Sequence, residues 1–462
     1  MRLYTKKLLQ ALLAVFLIIV IYLNLNVTDL SSNVNRANGA LPWGDDFNQK
    51  KHSSILFVDK KFHDHVHARN GVTNVSRALK SSEISSPLST SDAVYPSLQY
   101  DSDDRIQKQL KFVPESVIKR VKAGETVAMK KILVYSGTGS WHIPRGSTLF
   151  KEQKCAVQAC ELVDDRNKMK EADVVLFQHP PPGMQDRPAN QAWALFLLES
   201  PYHTPSFSGS RGVFNWTATY RHDSTIVAPY EKFIPLNASL LTRPPLKNYA
   251  QGKTKTVAWF VSNCGARNRR RQYTDELSKH IQVDIYGGCG TLKCPRFQSE
   301  KCFGMLNTDY KFYLAFENSN CRDYITEKFF INGLKHDVIP IVMGAAPEDY
   351  RRAAPPHSFI HVDDFESPKE LAAYLHKLDA DDALYNEYFA WKGLWDNINT
   401  FFWCRMCSLA NDVEQRGHSS YEDVEKWWRG PGVCIGQDNW RKAAPTRTLI
   451  GDLPIQVRPN PP

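Results

Sequence analysis

A short apolar run, a polar turn, a helical pattern and a second apolar run constrain the fold of this chain more than any other stretch. The first run, Phe312 to Phe316, has aromatic and branched residues without proline or glycine, so it predicts a buried strand. A polar cluster from Glu317 to Asp323 ends this strand, a helical pattern begins at Thr326, and Val338 to Gly344 predicts the next strand. This order forms a βαβ unit, which binds ligands at the carboxyl ends of its strands.

Four polar residues lie at the carboxyl end of the first of these strands: Glu317, Asn318, Glu327 and Lys328. A carboxylate in this position can accept hydrogen bonds from ribose or sugar hydroxyls. A lysine at the start of a helix can bind a phosphate. The junction therefore predicts a site for a ligand that carries both hydroxyls and phosphate.

The remaining apolar runs form two sets, separated by a polar linker from Pro244 to Lys255. The first set follows Lys130 and comprises Ile132 to Tyr135, Ala172 to Phe177, Ala194 to Leu198 and Ser224 to Ala228. The second set comprises Val257 to Val261, Val283 to Tyr286, Phe312 to Phe316, Val338 to Met343 and Phe359 to Val362. Continuous apolar runs suit parallel strands covered on both faces. The sequence therefore predicts an α/β protein of two Rossmann-like domains with a cleft between them.

Three segments resemble the α1,3-fucosyltransferases that use GDP-fucose. They are FYLAFENS with DYITEKFF at 312–330, VAWFVSNCGARNRRRQY at 257–273 and FIHVDDF at 359–365, within a similarity that runs from about Lys130 to Cys434. The variant SNCGARN, Ser262 to Asn268, looks most like the insect-type branch that fucosylates the protein-linked core GlcNAc of N-glycans. The resemblance implies the fold known as GT-B, with the acceptor mainly in the first half and the donor in the second.

The start of the chain predicts a membrane anchor. Arg2, Lys6 and Lys7 precede an apolar segment from Leu8 to about Leu25, and about 18 apolar residues can just span a bilayer. Positive charges on the N-terminal side keep that end cytosolic. Because Asn24-Leu25-Asn26 offers no small-x-small cleavage site, an uncleaved signal anchor is favoured over a cleaved signal peptide.

The stretch between the anchor and Lys130 is rich in Ser, Asp, Lys and His, which is typical of a flexible spacer. The alternative for part of it is a small folded module around Ile55 to Val72.

The chain as a whole divides into six predicted segments. They are a cytosolic tail (1–7), a transmembrane signal anchor (8–25), a stem (26–129), an N-terminal acceptor-side Rossmann-like domain (130–250), a C-terminal GDP-fucose-binding Rossmann-like domain (251–410) and a C-terminal extension (411–462). Together with the resemblance, this order implies a single-pass type II protein of the Golgi membrane whose catalytic part is lumenal.

Sequons and cysteines agree with a lumenal location. N-glycosylation sequons occur at Asn26, Asn74, Asn215 and Asn237, and since Asn26 is too close to the predicted membrane, we predict glycosylation at the other three. Asn215 lies within a block that matches the family, so it is either buried and unmodified or carries a glycan that points away. The chain also has ten cysteines, a number expected in an oxidising compartment.

Composition excludes one class of partner. Hydrophobic residues make up 42% of the chain and aromatic residues 11%, as in a globular protein. The net charge is +9, but no long stretch interleaves basic residues with aromatic ones, so we expect no nucleic-acid partner. The one tight basic cluster is Arg269-Arg270-Arg271.

Transfer of a sugar from a nucleotide diphosphate requires a base for the acceptor hydroxyl, stabilisation of an oxocarbenium-like transition state and cations for the leaving group. Arg269 follows the strand at Val257 to Val261 at a predicted helix start, and Lys328 has the equivalent place after Phe312 to Phe316. The family pattern implies that both grip the diphosphate. Arg270 or Arg271 is expected to be a solvated surface residue.

The predicted base is Glu199, which ends an apolar strand in the segment Leu197 to Pro201. From the residues alone, a helix-capping or surface glutamate explains this position as well. The family carries its base in the same Glu-Ser-Pro setting, so the resemblance implies that Glu199 accepts the proton. Partial desolvation at a strand end would raise the pKa of such a carboxylate toward a useful value.

Further donor-binding residues complete the predicted site. Glu327 would bind fucose or ribose hydroxyls, and Asn318 the sugar or a phosphate. Tyr220 and Arg221 match a further family block and are expected to line the cleft, and Tyr286 at the end of its predicted strand joins the donor-binding set.

We expect no obligatory metal, with Mn²⁺ or Mg²⁺ acting at most as stimulators. Transferases that hold a diphosphate through a metal use an Asp-x-Asp motif. Asp101-Ser102-Asp103 lies in the predicted stem, and Asp379-Ala380-Asp381 follows a helix end where solvation of a loop explains it. Two cations already balance the diphosphate, so its charge does not require a metal. The partners that the resemblance implies are GDP-fucose and N-glycosylated protein acceptors.

Two other functions remain open. A membrane-anchored lumenal lectin that kept the fold without turnover predicts loss of the base or of the cations, yet all of these residues are present. Within the enzyme class, the alternative is an antennal, Lewis-type fucosyltransferase that acts on terminal N-acetyllactosamine. The SNCGARN variant and the cysteine-rich segment Cys289 to Cys302 depart from that branch.

The pair Cys404-x-x-Cys407 fits a redox motif, half of a zinc site or two disulfide ends, and a lumenal location favours disulfide ends. The family resemblance implies the pairs Cys155–Cys404 and Cys160–Cys407. The spacing between the two cysteines differs on the two sides, so an α-carbon separation within disulfide reach does not follow from the sequence. The other six cysteines can form three more bonds, whose partners the sequence does not assign.

Overall fold

The computed structural model describes residues 95–96, 105–183, 187–413, 419–442 and 456–457. The predicted cytosolic tail, the signal anchor at 8–25, most of the predicted stem and Asn74 lie outside these ranges. Within them, no helix combines the length and the apolar composition that crossing a bilayer requires.

A sheet of parallel strands forms the first half. In chain order its strands are β1 (Lys130–Val134), β2 (Cys160–Val163), β3 (Val174–Phe177), β4 (Ala192–Leu197), β5 (Trp216–Thr219) and β6 (Ile226–Val227). Their order across the sheet is β2-β1-β3-β4-β5-β6, and every neighbouring pair is parallel. The central strands β3 and β4 are buried at every residue, as expected of a parallel sheet covered on both faces. The next strand, β7 (Lys232–Pro235), leaves this sheet.

A second parallel sheet forms the other half. Its strands are β8 (Lys255–Phe260), β9 (Val283–Tyr286), β10 (Tyr310–Phe316), β11 (Ile339–Met343) and β12 (Ile360–His361). The order β12-β11-β10-β8-β9 places the fully buried β10 at the centre, beside β8. The chain direction across the sheet reverses between β8 and β10, so the crevice at their carboxyl ends is the expected ligand site of such a sheet. Two antiparallel pairs lie outside the main sheets: β13 (Trp395–Ile398) with β7, and β14 (Ser419–Ser420) with β15 (Gln456–Val457).

Helices connect and cover the strands. In chain order the α-helices are α1 (Arg105–Lys111), α2 (Glu115–Lys122), α3 (Thr148–Glu152), α4 (Arg270–Leu277), α5 (Ser299–Thr308), α6 (Glu327–Phe329), α7 (Pro347–Ala353), α8 (Pro368–Ala380), α9 (Asp382–Glu387), α10 (Phe402–Ala410) and α11 (Val424–Arg429). Helix α6 continues as a π-helical turn over Phe330–Leu334. Two parallel α/β halves with a crevice between them make this a GT-B-like fold, as predicted.

The first sheet contains two strands, β2 and β5, that the apolar pattern does not indicate, and the predicted strand from Ser224 to Ala228 shortens to β6. Strand β5 escapes the pattern because two of its four residues are threonines. Both are fully buried with their hydroxyls satisfied: Thr217 Oγ1 lies 2.8 Å from Tyr421 Oη, and Thr219 Oγ1 lies 2.7 Å from Ser224 Oγ. Polar residues can therefore fill a central strand when partners from other segments satisfy them.

The prediction that the stem extends as a flexible spacer to residue 129 is wrong for its described part. Helices α1 and α2 belong to the folded body, since Gln109 is fully buried and its Nε2 donates to the carbonyls of Pro96 and Thr225, both at 2.9 Å. The buried Arg405 of α10 donates to Gln109 Oε1 at 3.1 Å and to the Val227 carbonyl at 2.6 Å. These bonds connect α1, before β1, to helix α10, which comes after the second sheet in the sequence.

The predicted disulfides are confirmed. Cys155–Cys404 and Cys160–Cys407 form, with Cα–Cα separations of 5.0 and 5.9 Å, because the two pairs lie on segments that face each other directly. The other six cysteines pair as Cys264–Cys289, Cys294–Cys302 and Cys321–Cys434. The long-range bonds fasten α10, which follows the second sheet, back onto the first.

We expect the two parallel disulfides to be strongly non-additive in stability. Each spans nearly the same loop, with sequence separations of 249 and 247, so either bond alone closes it. With one bond in place, the other closes only a ring of roughly ten residues, worth about 3 kcal/mol in the chain-entropy model, whereas closing the long loop is worth about 5 kcal/mol. Removing either bond by replacing its two cysteines with serines should therefore cost less than half of what removing both costs, about 3 of about 8 kcal/mol.

Denaturant unfolding of the two double-serine variants and of the quadruple variant tests this expectation. The first bond removed should cost about 3 kcal/mol and the second about 5 kcal/mol more. Equal costs for the two steps would show that the bonds do not share one loop in the unfolded chain.

Candidate active site

Glu199 lies just beyond the end of β4, where the first half meets the second. Its Oε2 accepts a hydrogen bond from Tyr324 Oη at 3.0 Å, and Tyr324 belongs to the polar turn that follows β10. Burial and the nearby Glu199 carboxylate raise the pKa of Tyr324 well above its ordinary value, so its hydroxyl remains a donor. The predicted base is therefore oriented by a residue of the opposite half.

A second contact joins the halves beside Glu199. Ser200 Oγ lies 2.8 Å from Ser319 Oγ, and both serines are fully buried. On the other side of the glutamate, the Leu198 carbonyl accepts from Tyr230 Oη at 2.8 Å. Both neighbours of Glu199 are thus fixed, and the carboxylate stands at a defined place in the crevice.

The turn after β10 is organised by a buried carboxylate, Glu317, which is 0% exposed. Its Oε1 accepts from the Thr326 backbone N–H at 2.8 Å and from Thr326 Oγ1 at 2.9 Å. Thr326 is the N-cap of α6, so Glu317 fixes the residue at which that helix begins. This contact places Glu327 and Lys328 in the first turn of α6, at the carboxyl end of the central strand.

Lys328 is held among these carboxylates. Its Nζ lies 3.2 Å from Glu317 and 3.4 Å from Glu327, and it donates to Thr326 Oγ1 at 2.9 Å. Burial alone lowers the pKa of Lys328, but the two carboxylates outweigh it and raise the pKa above its ordinary value. Burial also raises the pKa of Glu317, which Lys328 opposes. The lysine therefore stays charged next to the crevice.

Arg269 is the N-cap residue of α4 and has a left-handed backbone, with φ of 57°. The side chain is exposed, and within the described ranges its guanidinium makes no hydrogen bond or ion pair. A non-glycine residue in this conformation is uncommon and marks functional or strained positions. Arg269 is thus a cation available to a ligand, and its contact with the diphosphate stays a prediction.

Of the other two arginines of the cluster, Arg271 lies at the surface with its side chain 32% exposed, in keeping with the prediction for one of them, whereas Arg270 does not. Arg270 is buried, and it donates to the carbonyls of Phe316 at 2.7 Å and Asn263 at 3.0 Å. Arg271 pairs with Asp275 at 2.8 Å and also donates to the Cys289 carbonyl. Helix periodicity explains the difference, because consecutive residues of a helix point in different directions and Arg270 faces the sheet.

Arg221 does not face a ligand. It is 2% exposed, its guanidinium is paired with Asp223 and donates to the Trp427 carbonyl, and it lies over the Trp427 ring at 4.3 Å. Its neighbour Tyr220 is buried against Tyr324, with ring centroids 5.2 Å apart. We therefore correct the role of Arg221 from donor contact to anchor of α11, and Tyr220 supports the tyrosine that orients Glu199.

In two other predicted donor ligands, Asn318 and Tyr286, the structure already occupies part of the side chain. Asn318 is buried next to the crevice, and its Oδ1 accepts from Ser319 Oγ at 3.0 Å. The Tyr286 ring stacks on Phe260, and its hydroxyl lies 2.8 Å from Tyr310 Oη. The Tyr286 side chain therefore packs β9 against its neighbours, and its hydroxyl is already hydrogen-bonded within the protein.

The prediction of a glycan at Asn215 is wrong for the folded chain. Asn215 is buried, and its Oδ1 accepts from the Trp193 N–H at 2.8 Å and from Arg187. Of the two alternatives, the structure agrees with the first in that the asparagine is buried. Asn237 is exposed in a loop, where its Oδ1 accepts from the Ser239 N–H, so that sequon stays a prediction.

Together these residues define a class of protein. The carboxylate of Glu199, from one α/β half, contacts the turn of the other half that carries Lys328, and Arg269 begins the helix after β8, so both cations flank the switch point of a parallel sheet. This arrangement suits an enzyme that transfers a sugar from a nucleotide diphosphate.

Comparisons with known proteins identify the family. The sequence profile described as glycosyltransferase family 10 (fucosyltransferase), C-terminal part, matches residues 250–427, and the profile described as fucosyltransferase, N-terminal, matches residues 128–231. Glycoprotein 3-alpha-L-fucosyltransferase A of Drosophila melanogaster is 51% identical over 354 residues, which is 76% of this chain and 69% of that protein. The chain belongs to the family 10 fucosyltransferases and is a glycosyltransferase.

Two further similarities are more distant. The 4-galactosyl-N-acetylglucosaminide 3-alpha-L-fucosyltransferase 9 of Rattus norvegicus is 37% identical over 303 residues, 62% of this chain and 80% of that protein. A crystal structure described as alpha1,3-fucosyltransferase with GDP has a TM-score of 0.43 and 17% identity, over 63% of this chain and 91% of that chain.

Proposed function

We propose that this enzyme moves L-fucose from GDP-β-L-fucose in α1,3 linkage to the innermost, Asn-linked GlcNAc of N-glycans. The reaction is a single displacement with inversion. Glu199 takes the proton of the acceptor hydroxyl as the oxygen attacks the anomeric carbon, and the bond to the diphosphate breaks on the opposite face. Lys328 and Arg269 stabilise the negative charge that develops on the leaving oxygen.

The observation that carries this proposal is the contact between Tyr324 Oη and Glu199 Oε2, at 3.0 Å. Tyr324 lies in the turn that also positions Glu327 and Lys328, so one short segment connects the base to one of the two cations, Lys328. Nearby, Glu327 has a carboxylate at the start of α6 that can accept from fucose or ribose hydroxyls. Proton removal and departure of the diphosphate can therefore occur in one crevice.

The choice of acceptor rests on similarity. The relative named for glycoproteins is 51% identical, whereas the relative named for galactosyl-N-acetylglucosaminides is 37% identical. This difference favours the glycoprotein core over antennal lactosamine. The antennal enzyme is the second candidate, and a non-catalytic lectin is disfavoured because base and cations stand together.

An acceptor panel tests the choice. Incubation of the full chain with GDP-fucose should fucosylate a glycopeptide that carries only the Asn-linked core, and should leave free N-acetyllactosamine unmodified. Mass spectrometry after glycan release locates the fucose. Transfer to lactosamine but not to the core glycopeptide would establish the antennal function instead.

We further propose that no metal is obligatory, because Arg269 and Lys328 supply the positive charge that a divalent ion supplies elsewhere. Mn²⁺ or Mg²⁺ would then stimulate at most. Transfer activity that persists in a chelator is the expected result, and loss of this activity would contradict the proposal.

We also propose that the chain is a type II protein of the Golgi membrane, anchored by residues 8–25. Immunofluorescence of the chain with and without that segment tests this location.

A further inference from the structure

The segment Gly430–Lys442, here named the C-terminal strap, crosses from the first half to the second. It leaves helix α11, which packs on the first half through Arg429 and its bond to the Pro201 carbonyl at 3.0 Å. The strap is then fastened to the turn after β10 by the disulfide Cys321–Cys434 and by the Ile435 N–H, which donates to the Asn320 carbonyl at 3.0 Å. The family profile ends at residue 427, before the strap begins.

The strap closes a pocket of about 290 Å³ over the carboxyl ends of β11 and β12. Trp440 forms one wall, where its Nε1 donates to the Gly344 carbonyl at 2.9 Å and its backbone N–H donates to Asp363 at 2.7 Å. The opposite wall is the start of α4, with Arg269 and Tyr273. The strap therefore supplies one wall of the pocket.

The lining is rich in groups that bind hydroxyls. Asp363, Glu366 and Asp438 bring carboxylates, and amide side chains from α4 and the strap add both donors and acceptors. Among the described lining residues, three carboxylates accompany one arginine, and Arg441 balances only one of the three, Glu366, so the charge does not favour an anion such as a phosphate. A neutral ligand with many hydroxyls and an apolar face for Trp440 matches this lining.

One polar atom of the pocket is left without a partner. Tyr273 lines the pocket, and its hydroxyl oxygen is buried and makes no hydrogen bond with any of the described residues. Burial raises the pKa of this hydroxyl, so it remains a donor. A buried hydroxyl without a partner costs stability, and a ligand hydroxyl would relieve that cost.

We propose that this pocket binds a sugar residue of the acceptor glycan, one other than the GlcNAc that receives fucose. Glu199, Glu327 and Lys328 do not line the pocket, so the reacting sugars lie elsewhere in the crevice. Arg269 borders the pocket, which places the bound residue next to the diphosphate site. The strap would thereby make the enzyme prefer an extended N-glycan over a bare core. This inference rests on the proposed function.

Binding measurements on the GDP complex, in which no transfer occurs, test the proposal. Two glycopeptides with the same peptide are compared, one with Asn-linked chitobiose alone and one with a branched, mannose-containing N-glycan. Titration calorimetry should show that the long glycopeptide binds the unaltered enzyme more tightly than the short one. Trp440→Ala should reduce that preference about tenfold, and Tyr273→Phe about threefold, without a change in the affinity for GDP.

Stability and matched variants separate recognition from a structural role. Tyr273→Phe removes a hydroxyl without a partner, so its Tm should not fall. Arg441→Ala breaks the strap's ion pair with Glu366, 2.8 Å long, but Arg441 does not line the pocket, so the preference should persist. Trp440→Phe keeps an aromatic wall and should restore most of the preference.

Two results would overturn the proposal. Weaker GDP binding in both pocket variants, in proportion to weaker glycopeptide binding, would assign the pocket to the nucleoside of the donor. Equal binding of the two glycopeptides to the unaltered enzyme would show that the pocket takes no part in acceptor recognition. Failure of the proposed function is seen separately, as absence of fucose transfer to the core glycopeptide.

Discussion

Glu199→Gln is expected to lower the turnover of fucose transfer by about 10²–10⁴-fold while leaving GDP-fucose binding intact. The amide has nearly the shape of the carboxylate, and its oxygen can still accept from Tyr324 Oη, which lies 3.0 Å from Glu199 Oε2. Only the carboxylate can take the proton of the acceptor hydroxyl. The variant therefore keeps the geometry of the crevice and loses the chemical step.

Initial rates with a core glycopeptide, together with calorimetry of GDP-fucose binding, measure the two effects separately. Glu171→Gln is the matched control, because Glu171 is an exposed glutamate of the same half, paired with Lys131 at 3.4 Å, and its loss should change neither quantity. Tyr324→Phe removes the hydroxyl that orients Glu199 and should cost less than Glu199→Gln. A near-normal rate for Glu199→Gln would place the base elsewhere.

The second sheet could be predicted almost completely from the sequence. The apolar run from Val283 to Tyr286 coincides with β9, and the runs at Phe312 and Val338 fall within one or two residues of β10 and β11. Strands β10 and β11 are buried at every residue, so continuous apolar sequence is their direct signature. The first sheet was harder, because β5 buries threonines whose partners lie far away in the sequence, such as Tyr421.

In the candidate site, too, local features could be predicted and long-range contacts could not. The positions of Arg269 and Lys328 at helix starts could be predicted because a strand end followed by a helix start is a local pattern. Tyr324, which orients the predicted base, stands within the quoted motif, but its role depends on the meeting of the two halves. Arg221 is expected from the sequence to line the cleft, and Arg270 fits a solvated surface residue, yet each is buried and donates to a carbonyl of a distant segment. Long-range packing, rather than local pattern, decides which cations remain available.

The two cations proposed to bind the diphosphate, Arg269 and Lys328, should differ in their effect on stability. Arg269→Ala and Lys328→Ala are each expected to lower kcat/KM by about ten- to more than a hundredfold, since a charge-assisted contact to phosphate is worth about 1.5–3 kcal/mol. Arg269 is exposed and has no ion pair among the described residues, so its loss should leave stability unchanged. Lys328 is the cation beside the fully buried Glu317, 3.2 Å away, so its loss should also destabilise the fold, by about 3 kcal/mol near neutral pH.

The pH dependence of that destabilisation identifies its cause. Burial raises the pKa of Glu317 in the folded chain, and removal of Lys328 should raise it further. A carboxyl whose pKa is higher in the folded state binds a proton more readily there, so stability is retained at low pH and lost as pH rises. The deficit of Lys328→Ala should therefore be smaller at pH 5 than at pH 8.

Denaturant unfolding at both pH values, with the double variant Lys328→Ala/Glu317→Gln, tests this account. The neutral amide can still accept from Thr326, whose N–H and Oγ1 donate to Glu317 at 2.8 and 2.9 Å, and it leaves no buried charge. The double variant should regain most of the stability but none of the activity, because the cation for the diphosphate is still missing. A deficit that is the same at both pH values and persists in the double variant would show that Lys328 stabilises the turn by packing rather than by balancing Glu317.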